Sequence, residues 1–358
     1  MTTTTQKAEA PVLEVTRLGK HFSVGGGFFG KRLRALHDVS FTIRRREVVA
    51  LVGESGSGKS TIARLLARLM PPSEGKILFK GRDILAEEPR RASLAYRAQV
   101  QMIFQDPFGS LNPIHTIGHH LERPLTLHGK VKGEAEMRAR VHDLLSSVEL
   151  HPAADVAQKH PHQLSGGQRQ RVAIARALAV DPELILADEP ISMLDVSIRM
   201  GVLNLMDRFK EERGISYLYI THDLASARYI ADRTMVMYGG QIVEGAPSVE
   251  LLARPQHPYT QLLISSVPNP GGSMQKPLDA RAGAPQLIDP PPGCPFAARC
   301  PKVMDVCRKE MPAVTHLETD HWVRCHLAGA ASNDTTAPDC TAVSTLEEGE
   351  PADPARLP

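Results

Sequence analysis

The stretch "EVVALVGESGSGKSTIARLLARLM", residues 47–70, decides the fold. Its first seven residues are an apolar run closed by glycine, the pattern of a strand buried on both faces of an α/β sheet. Residues 59–70 carry apolar side chains at helical spacing. The turn between them, "GESGSGKST" (53–61), fits G-x-x-x-x-G-K-[ST]. Glycines let backbone N–H groups face inward and cradle phosphate oxygens. The set is Gly53, Ser55, Gly56, Ser57, Gly58, Lys59, Ser60 and Thr61. Lys59 brings a point charge toward the outer phosphates, Ser60 offers its hydroxyl to magnesium, and the helix start aims its positive end at the same anion. A chance glycine-rich turn does not require a buried strand before it and a helix after it.

Outward from this unit, "VLEVTRL" (12–18) and "LRALHDVSFTI" (33–43) alternate like strands and suggest a β-rich N-terminal layer. Strand signals fade from about residue 107 to 164, where "EAEMRARVHDLLSSVEL" (134–150) has a helical period. "ELILAD" (183–188) and "ISYLYIT" (215–221) read as further buried strands, and "TMVMYGGQIVEG" (234–245) as a hairpin about Gly239-Gly240. After residue 246 the chain becomes helical with prolines, and "VPNPGGS" (267–273) and "IDPPPG" (288–293) punctuate it. Residues 330–358 are small, polar, acidic and Pro-rich and read as a disordered tail, like residues 1–11. No internal repeat is present.

Composition bounds the function. The chain has 358 residues, enough for two domains, and 42% hydrophobic residues, enough for a sizeable core. Aromatics at 4% argue against a base-stacking surface, and a net charge of +2 argues against nucleic acid as a bulk partner. No run of 18 apolar residues is present, and "MTTTTQKAEAP" lacks the apolar core of a signal peptide. The expectation is a cytosolic chain with reduced thiols.

Two more stretches complete the chemistry. "LILADEP" (184–190) ends a buried strand in two carboxylates, costly unless they meet a cation. Asp188 is placed to hold magnesium and Glu189 to polarise an attacking water. "LSGGQRQR" (164–171) puts a serine and two glycines at a helix start, a second anion-binding turn. A second such turn implies a nucleotide sandwiched between two molecules.

In order, "GESGSGKS", "QMIFQDP" (101–107), "LSGGQRQR", "LILADEP", "SMLD" (192–195) and "ITHD" (220–223) resemble the ATP-binding subunits of ABC transporters over residues 12 to about 245. The resemblance implies an α/β fold: a P-loop ABC-type ATPase with a RecA-like α/β core, an N-terminal antiparallel β layer and a helical subdomain at about 107–164. It implies that Phe22 stacks on adenine, unless it is a core residue. Gln105 senses magnesium and touches a permease, His222 contacts the γ-phosphate and places the water, and Asp195 lies at a dimer contact. Ser165, Gly166, Gly167 and Gln168 bind the γ-phosphate of the ATP held by a second subunit. Met193 departs from the family, which has a small residue there.

"QDPFGSLNP" (105–113), "HPHQLSGGQRQR" (160–171), "YGGQIVEGAP" (238–247), "RPQHPYTQLLISSVP" (254–268) and "PPPGCPFAARCP" (290–301) narrow the likeness to the oligopeptide and dipeptide importers. This implies a C-terminal domain over 246–329, a different second ATPase chain, two transmembrane permease chains and an extracytoplasmic solute-binding protein. It also implies peripheral attachment at the cytoplasmic face of the cell membrane. Nickel and some oligosaccharide importers share the ATPase type. A soluble ABC ATPase on DNA or the ribosome would carry a long coiled coil or a second cassette, and neither is present. A cluster sensor with the ATPase as its output is the third reading.

Cys294, Cys300, Cys307 and Cys325 follow the spacing C-x5-C-x6-C-x17-C, with Cys340 a bystander. They read as quiet reduced thiols, as a zinc site aided by His316, His321 or His326, or as ligands of an iron–sulfur cluster. Zinc favours closer pairs, whereas wide irregular gaps and Cys-Pro pairs favour the cluster. Members of the resembled branch can carry a four-iron, four-sulfur cluster here, and its expected role is to staple a small segment without a core of its own. "RRR" (44–46) reads as a solvated face, and "FF" (28–29) as a partner contact or a packed loop.

Overall fold

The structure is a computed structural model that describes residues 10–25, 31–266, 283, 285–318 and 320–330. The terminal segments, "FF" at 28–29, "VPNPGGS" and Cys340 lie outside the described residues. Strands are β1 (Leu13–Val24), β2 (Lys31–Ile43), β3 (Val48–Val52), β4 (Glu74–Phe79), β5 (Arg82–Asp83), β6 (Val100–Ile103), β7 (Leu184–Asp188), β8 (Ser216–Thr221), β9 (Arg233–Tyr238), β10 (Gln241–Pro247), β11 (Thr315–Glu318) and β12 (His321–Val323). They form a sheet ordered β2-β1-β4-β5 and a larger one ordered β11-β12-β10-β9-β3-β8-β7-β6.

In the larger sheet β9-β3-β8-β7-β6 is parallel. Every residue of β3, β7 and β8 is buried, as suits their largely apolar sequences, with polar Asp188, Ser216 and Thr221 only at strand ends. The two-residue strand period divides them between two cores. Val49, Leu51, Leu218 and Ile220 pack with Val15, Leu36 and Ile77 of the antiparallel layer. Val48, Ala50, Tyr217 and Tyr219 face the opposite core, with the helices. That core continues into the insert, where Ile117–Leu127, Glu134–Ser147 and Ala153–Gln158 pack Leu121, Leu125, Leu144 and Val156 beside the helix Gly166–Leu178.

The end of the chain continues the larger sheet. β12 pairs antiparallel with β10, Glu244 opposite Val323 and Gly245 opposite Trp322. The Trp322 ring lies over Gly245, where a Cβ would come within 2.8 Å of it. Phe296, from the cysteine segment, is buried against Tyr238 and Tyr259 at centroid distances of 5.1 and 5.4 Å. "RRR" is an ion-paired face: Arg44 meets Asp320, Arg45 meets Glu183 and Arg46 meets Glu211.

Candidate active site

β3 ends at Val52 and the helix Lys59–Leu66 begins six residues after Gly53. The loop between them needs glycine at two places. A Cβ on Gly53 would stand 2.1 Å from the Met237 carbonyl oxygen. Gly58, at φ 110°, would bring one within 3 Å of Leu36, Met237 and Ala35. From the other side, Gly240 N–H donates to the Ser57 carbonyl at 3.0 Å. Lys59 is buried, and its Nζ donates to the carbonyls of Gly53 (2.7 Å) and Glu54 (2.9 Å). Burial lowers the Lys59 pKa, opposed by Glu189, Asp188 and Glu54. Ser57 Oγ is buried with no hydrogen-bond partner. A glycine cradle, a buried ammonium and an unpartnered hydroxyl fit a triphosphate.

Asp188 is the last residue of β7 and 4% exposed; it accepts from Ser60 Oγ at 2.9 Å. Burial raises its pKa, and neighbouring Glu189 adds to the rise. Two adjacent acids at the edge of a core fit a divalent cation, with Ser60 and Asp188 as the pair to hold it. Glu189 holds a left-handed backbone at φ 48°. Its N–H donates to the Ile220 carbonyl and its own carbonyl accepts from Ser192, which hold that turn in place. Its carboxylate meets Gln105 Nε2 at 3.0 Å and His222 Nδ1 at 3.3 Å. Gln105, expected to sense magnesium, and His222, expected to place the water, therefore converge from the loop after β6 and the turn after β8 on the carboxylate of Glu189, the residue that follows β7.

Ser165 caps the helix Gly166–Leu178: its Oγ accepts from Gln168 N–H, and Gln168 Oε1 accepts from Ser165 N–H. Gly167 is required by packing, since a Cβ there would lie 2.7 Å from Ile198 Cγ2. Gly166 has open space, with only Leu194 Cδ2 within 4 Å of such a Cβ. Asp195 is exposed before the helix Val196–Arg213 and makes no capping bond. Around it Met193, Val196 and Met200 are exposed apolar side chains. Phe22 lies near the end of β1, 38% exposed and with Lys20 Nζ 5.2 Å from its ring centroid, so it is no core residue.

Residues missed in the sequence reach the phosphate loop from the end of the chain. Arg299 makes a two-pronged ion pair with Glu54, at 2.8 and 3.0 Å. The Tyr259 hydroxyl accepts from Glu54 N–H at 2.9 Å. Glu54 stands at a freely variable position of the motif, and Arg299 lies 245 residues away. The only signal was Arg299's place beside Cys300.

Cys294, Cys300, Cys307 and Cys325 are free thiols lining one small cavity with His257 and Phe296. Burial pushes Cys294 up to about 12, and the other three thiols add to the rise. It raises Cys300 and Cys325 as well. His257 Nδ1 accepts from Tyr259 N–H, its Nε2 is buried without a partner, and burial pushes its pKa down to about 3. Among the described residues no three His, Cys, Asp or Glu form a group that would hold a metal ion. His321, weighed as a zinc ligand, instead hydrogen-bonds the buried Glu244 at 3.0 Å, and His326 bonds the Glu310 carbonyl. Both imidazoles, weighed as helpers in the zinc reading, are therefore engaged elsewhere.

Comparison with known proteins shows the family. Residues 36–192 match the ABC transporter family, and residues 243–307 match the oligopeptide/dipeptide transporter C-terminal region. The chain is 44% identical over 324 residues to the oligopeptide transport ATP-binding protein AppF of Bacillus subtilis, covering 88% of this chain and 97% of that one. It is 44% identical over 321 residues to a putative peptide import ATP-binding protein of Brucella ovis, covering 88% and 98%. Among solved structures, a post-hydrolysis dimer of the ATP-binding cassette MJ0796 with ADP and Pi superposes with a TM-score of 0.58 at 29% identity, over 66% of this chain and 98% of that one. The cbiO1 subunit of the cbiONQ ABC transporter complex of Clostridium perfringens superposes with a TM-score of 0.59 at 28% identity, over 69% and 92%.

Proposed function

The chain belongs to the ATP-binding subunits of ABC transporters, in the oligopeptide/dipeptide branch, and from that premise we propose that it hydrolyses ATP to power import of peptides through separate permease chains. The convergence of Gln105 and His222 on Glu189, beside Ser60 and Asp188, carries this reading. Bound ATP and magnesium supply the phosphoanhydride to be cut and the charge that offsets its oxygens. Lys59 and the loop amides would bind the phosphates, and Ser60 and Asp188 would hold the metal. Glu189 takes the proton of the attacking water, while His222 and Gln105 fix its carboxylate. Phe22 offers its exposed ring to the adenine.

The other half of the site comes from a second ATPase chain, of a different kind, closing head to tail. Ser165, Gly166, Gly167 and Gln168 face its nucleotide, and Asp195 with the apolar Met193, Val196 and Met200 forms the contact around it. No helix among the described residues is long and apolar enough to cross a membrane. Attachment at the cytoplasmic face is through two permease chains, which receive solute from a separate binding protein. The groove beside the Gln105 loop, lined by Phe104, His115, His119 and Arg123, is where a permease docks. Glu189→Gln tests the ATPase: phosphate release should fall by about 100-fold or more, with ATP retained in a closed dimer. Unchanged turnover would sink the assignment.

We propose that the four thiols of the cysteine cavity, which are not drawn together as a metal-binding group in this structure, would close on a four-iron, four-sulfur cluster held by Cys294, Cys300, Cys307 and Cys325. Burial raises the pKa of Cys294, Cys300 and Cys325, so these thiols become thiolates only with a strong cationic partner, and Cys307 lines the same space. Anaerobic purification should yield on the order of four iron and four sulfide per chain, lost in Cys300→Ser. One zinc instead, or no metal, rejects the cluster and leaves the ATPase reading intact.

A further inference from the structure

We propose that Arg299 and Tyr259 are positioning residues of the phosphate loop, through which the cysteine segment sets its affinity for nucleotide. This rests on the reading that the loop binds ATP.

Glu54 places a carboxylate in the loop that must receive a triphosphate, close enough to Lys59 to act on its charge. Left alone, that carboxylate opposes the incoming anion and competes for the lysine. Arg299 removes the conflict. Its Nη1 and Nη2 donate to the two carboxylate oxygens at 2.8 and 3.0 Å, the paired geometry that only a guanidinium offers. The arginine side chain is 15% exposed and the Glu54 side chain 38%, so the pair is only partly screened by water. The guanidinium is itself fixed, 5.6 Å from the Tyr238 ring centroid and 5.9 Å from that of Phe296.

Tyr259 acts on the backbone of the same residue. Its hydroxyl accepts from Glu54 N–H, while the Glu54 carbonyl accepts from Ser57 N–H and from Lys59 Nζ. The first peptide of the loop is therefore anchored outward, and its carbonyl keeps the ammonium in place. Tyr259 is fully buried on the helix Pro258–Ser265, whose capping side chain is His257. This assigns a role to the "HPYT" stretch, which has no chemistry of its own.

Both anchors come from the end of the chain. Arg299 lies in a turn closed by the N–H groups of Arg299 and Cys300 on the Phe296 carbonyl. Pro295 packs on Gly239, and Gly240 binds the Ser57 carbonyl. A disturbance of the turn that carries Cys300 reaches Glu54 through one side chain.

The test uses the full chain, a fluorescent ATP analogue with magnesium, and equilibrium binding alongside melting temperature. Arg299→Ala strands the Glu54 carboxylate and should raise Kd about tenfold. Adding Glu54→Gln to that variant removes the stranded charge and should bring Kd back to within about threefold of the unsubstituted chain. Tyr259→Phe deletes one hydroxyl, keeps the ion pair and should raise Kd about threefold. The restoring second substitution separates positioning from stapling, because removing a further contact cannot repair a packing defect. Unchanged Kd in both Arg299→Ala and Tyr259→Phe, with only the melting temperature lowered, overturns the proposal. So does a failure of Glu54→Gln to restore binding. An unsubstituted chain that binds no analogue overturns the nucleotide reading itself, and the proposal with it.

Discussion

Gly53 is where the need for a particular residue is sharpest. Its missing side chain is the space that the Met237 carbonyl occupies. Gly53→Ala puts a Cβ 2.1 Å from that oxygen, so either the loop or β9 must move. We expect nucleotide affinity to drop at least about tenfold and stability to fall by about 2 kcal/mol or more. Equilibrium binding and denaturant unfolding read the two effects, and an unaltered loop affinity would refute the close-packing account. Glu189 poses the reverse case, a bulky residue at φ 48° that the fold holds there through Ile220 and Ser192. Such a backbone costs energy and is kept where it aims a functional group. The carboxylate pair was legible because two acids ending an apolar strand need a cation. The conformation of Glu189 was not, since no local pattern encodes it.

At the scale of elements, β3, β7, β8 and the β9–β10 hairpin are readable as apolar runs and a Gly-Gly turn. Their insulation from water leaves no polar alternation to confuse the reading. β6, "VQMI", escaped notice because it is four residues long and carries Gln101. It pairs with β7 at the sheet edge, and tertiary context rather than propensity makes it a strand. The helix Gly166–Leu178 announces itself by its capping box. Its contact with Val196–Arg213 does not, although Gly167 turns out to be a point of close approach between the two helices. Gly167→Val should cost about 1–3 kcal/mol by forcing them apart. Ile198→Ala should recover part of that loss in a double-variant unfolding experiment. Simple additivity of the two changes would show that the helices do not meet there.

The whole molecule is held to its C-terminal region by a buried acid. Glu244, fully buried in β10, accepts from Gln256 N–H at 2.8 Å, His257 N–H at 2.9 Å and His321 Nε2 at 3.0 Å. It thus joins the central sheet, the start of the helix Pro258–Ser265 and β12. Glu244→Gln keeps the shape and loses the charge, leaving these donors under-satisfied. We expect about 2–4 kcal/mol of destabilisation, read from the urea midpoint. A midpoint that does not move would mean that β12 docks by packing of Trp322 alone.

The sequence by itself determined the ATPase core and marked the glycine loop, the paired acids and the Ser-Gly-Gly helix start as candidates for its nucleotide site. Each of these is written locally, as a strand period, a glycine spacing or a cap, and is decided within a dozen residues. Only the tertiary structure decided that Gln105 and His222 meet on Glu189, that the four thiols share one cavity and that Arg299 and Tyr259 hold Glu54. These are pairings between segments tens to hundreds of residues apart. Their specificity lies in the packing of two cores around one sheet, where a single chain leaves no local trace of which distant partner a side chain will find.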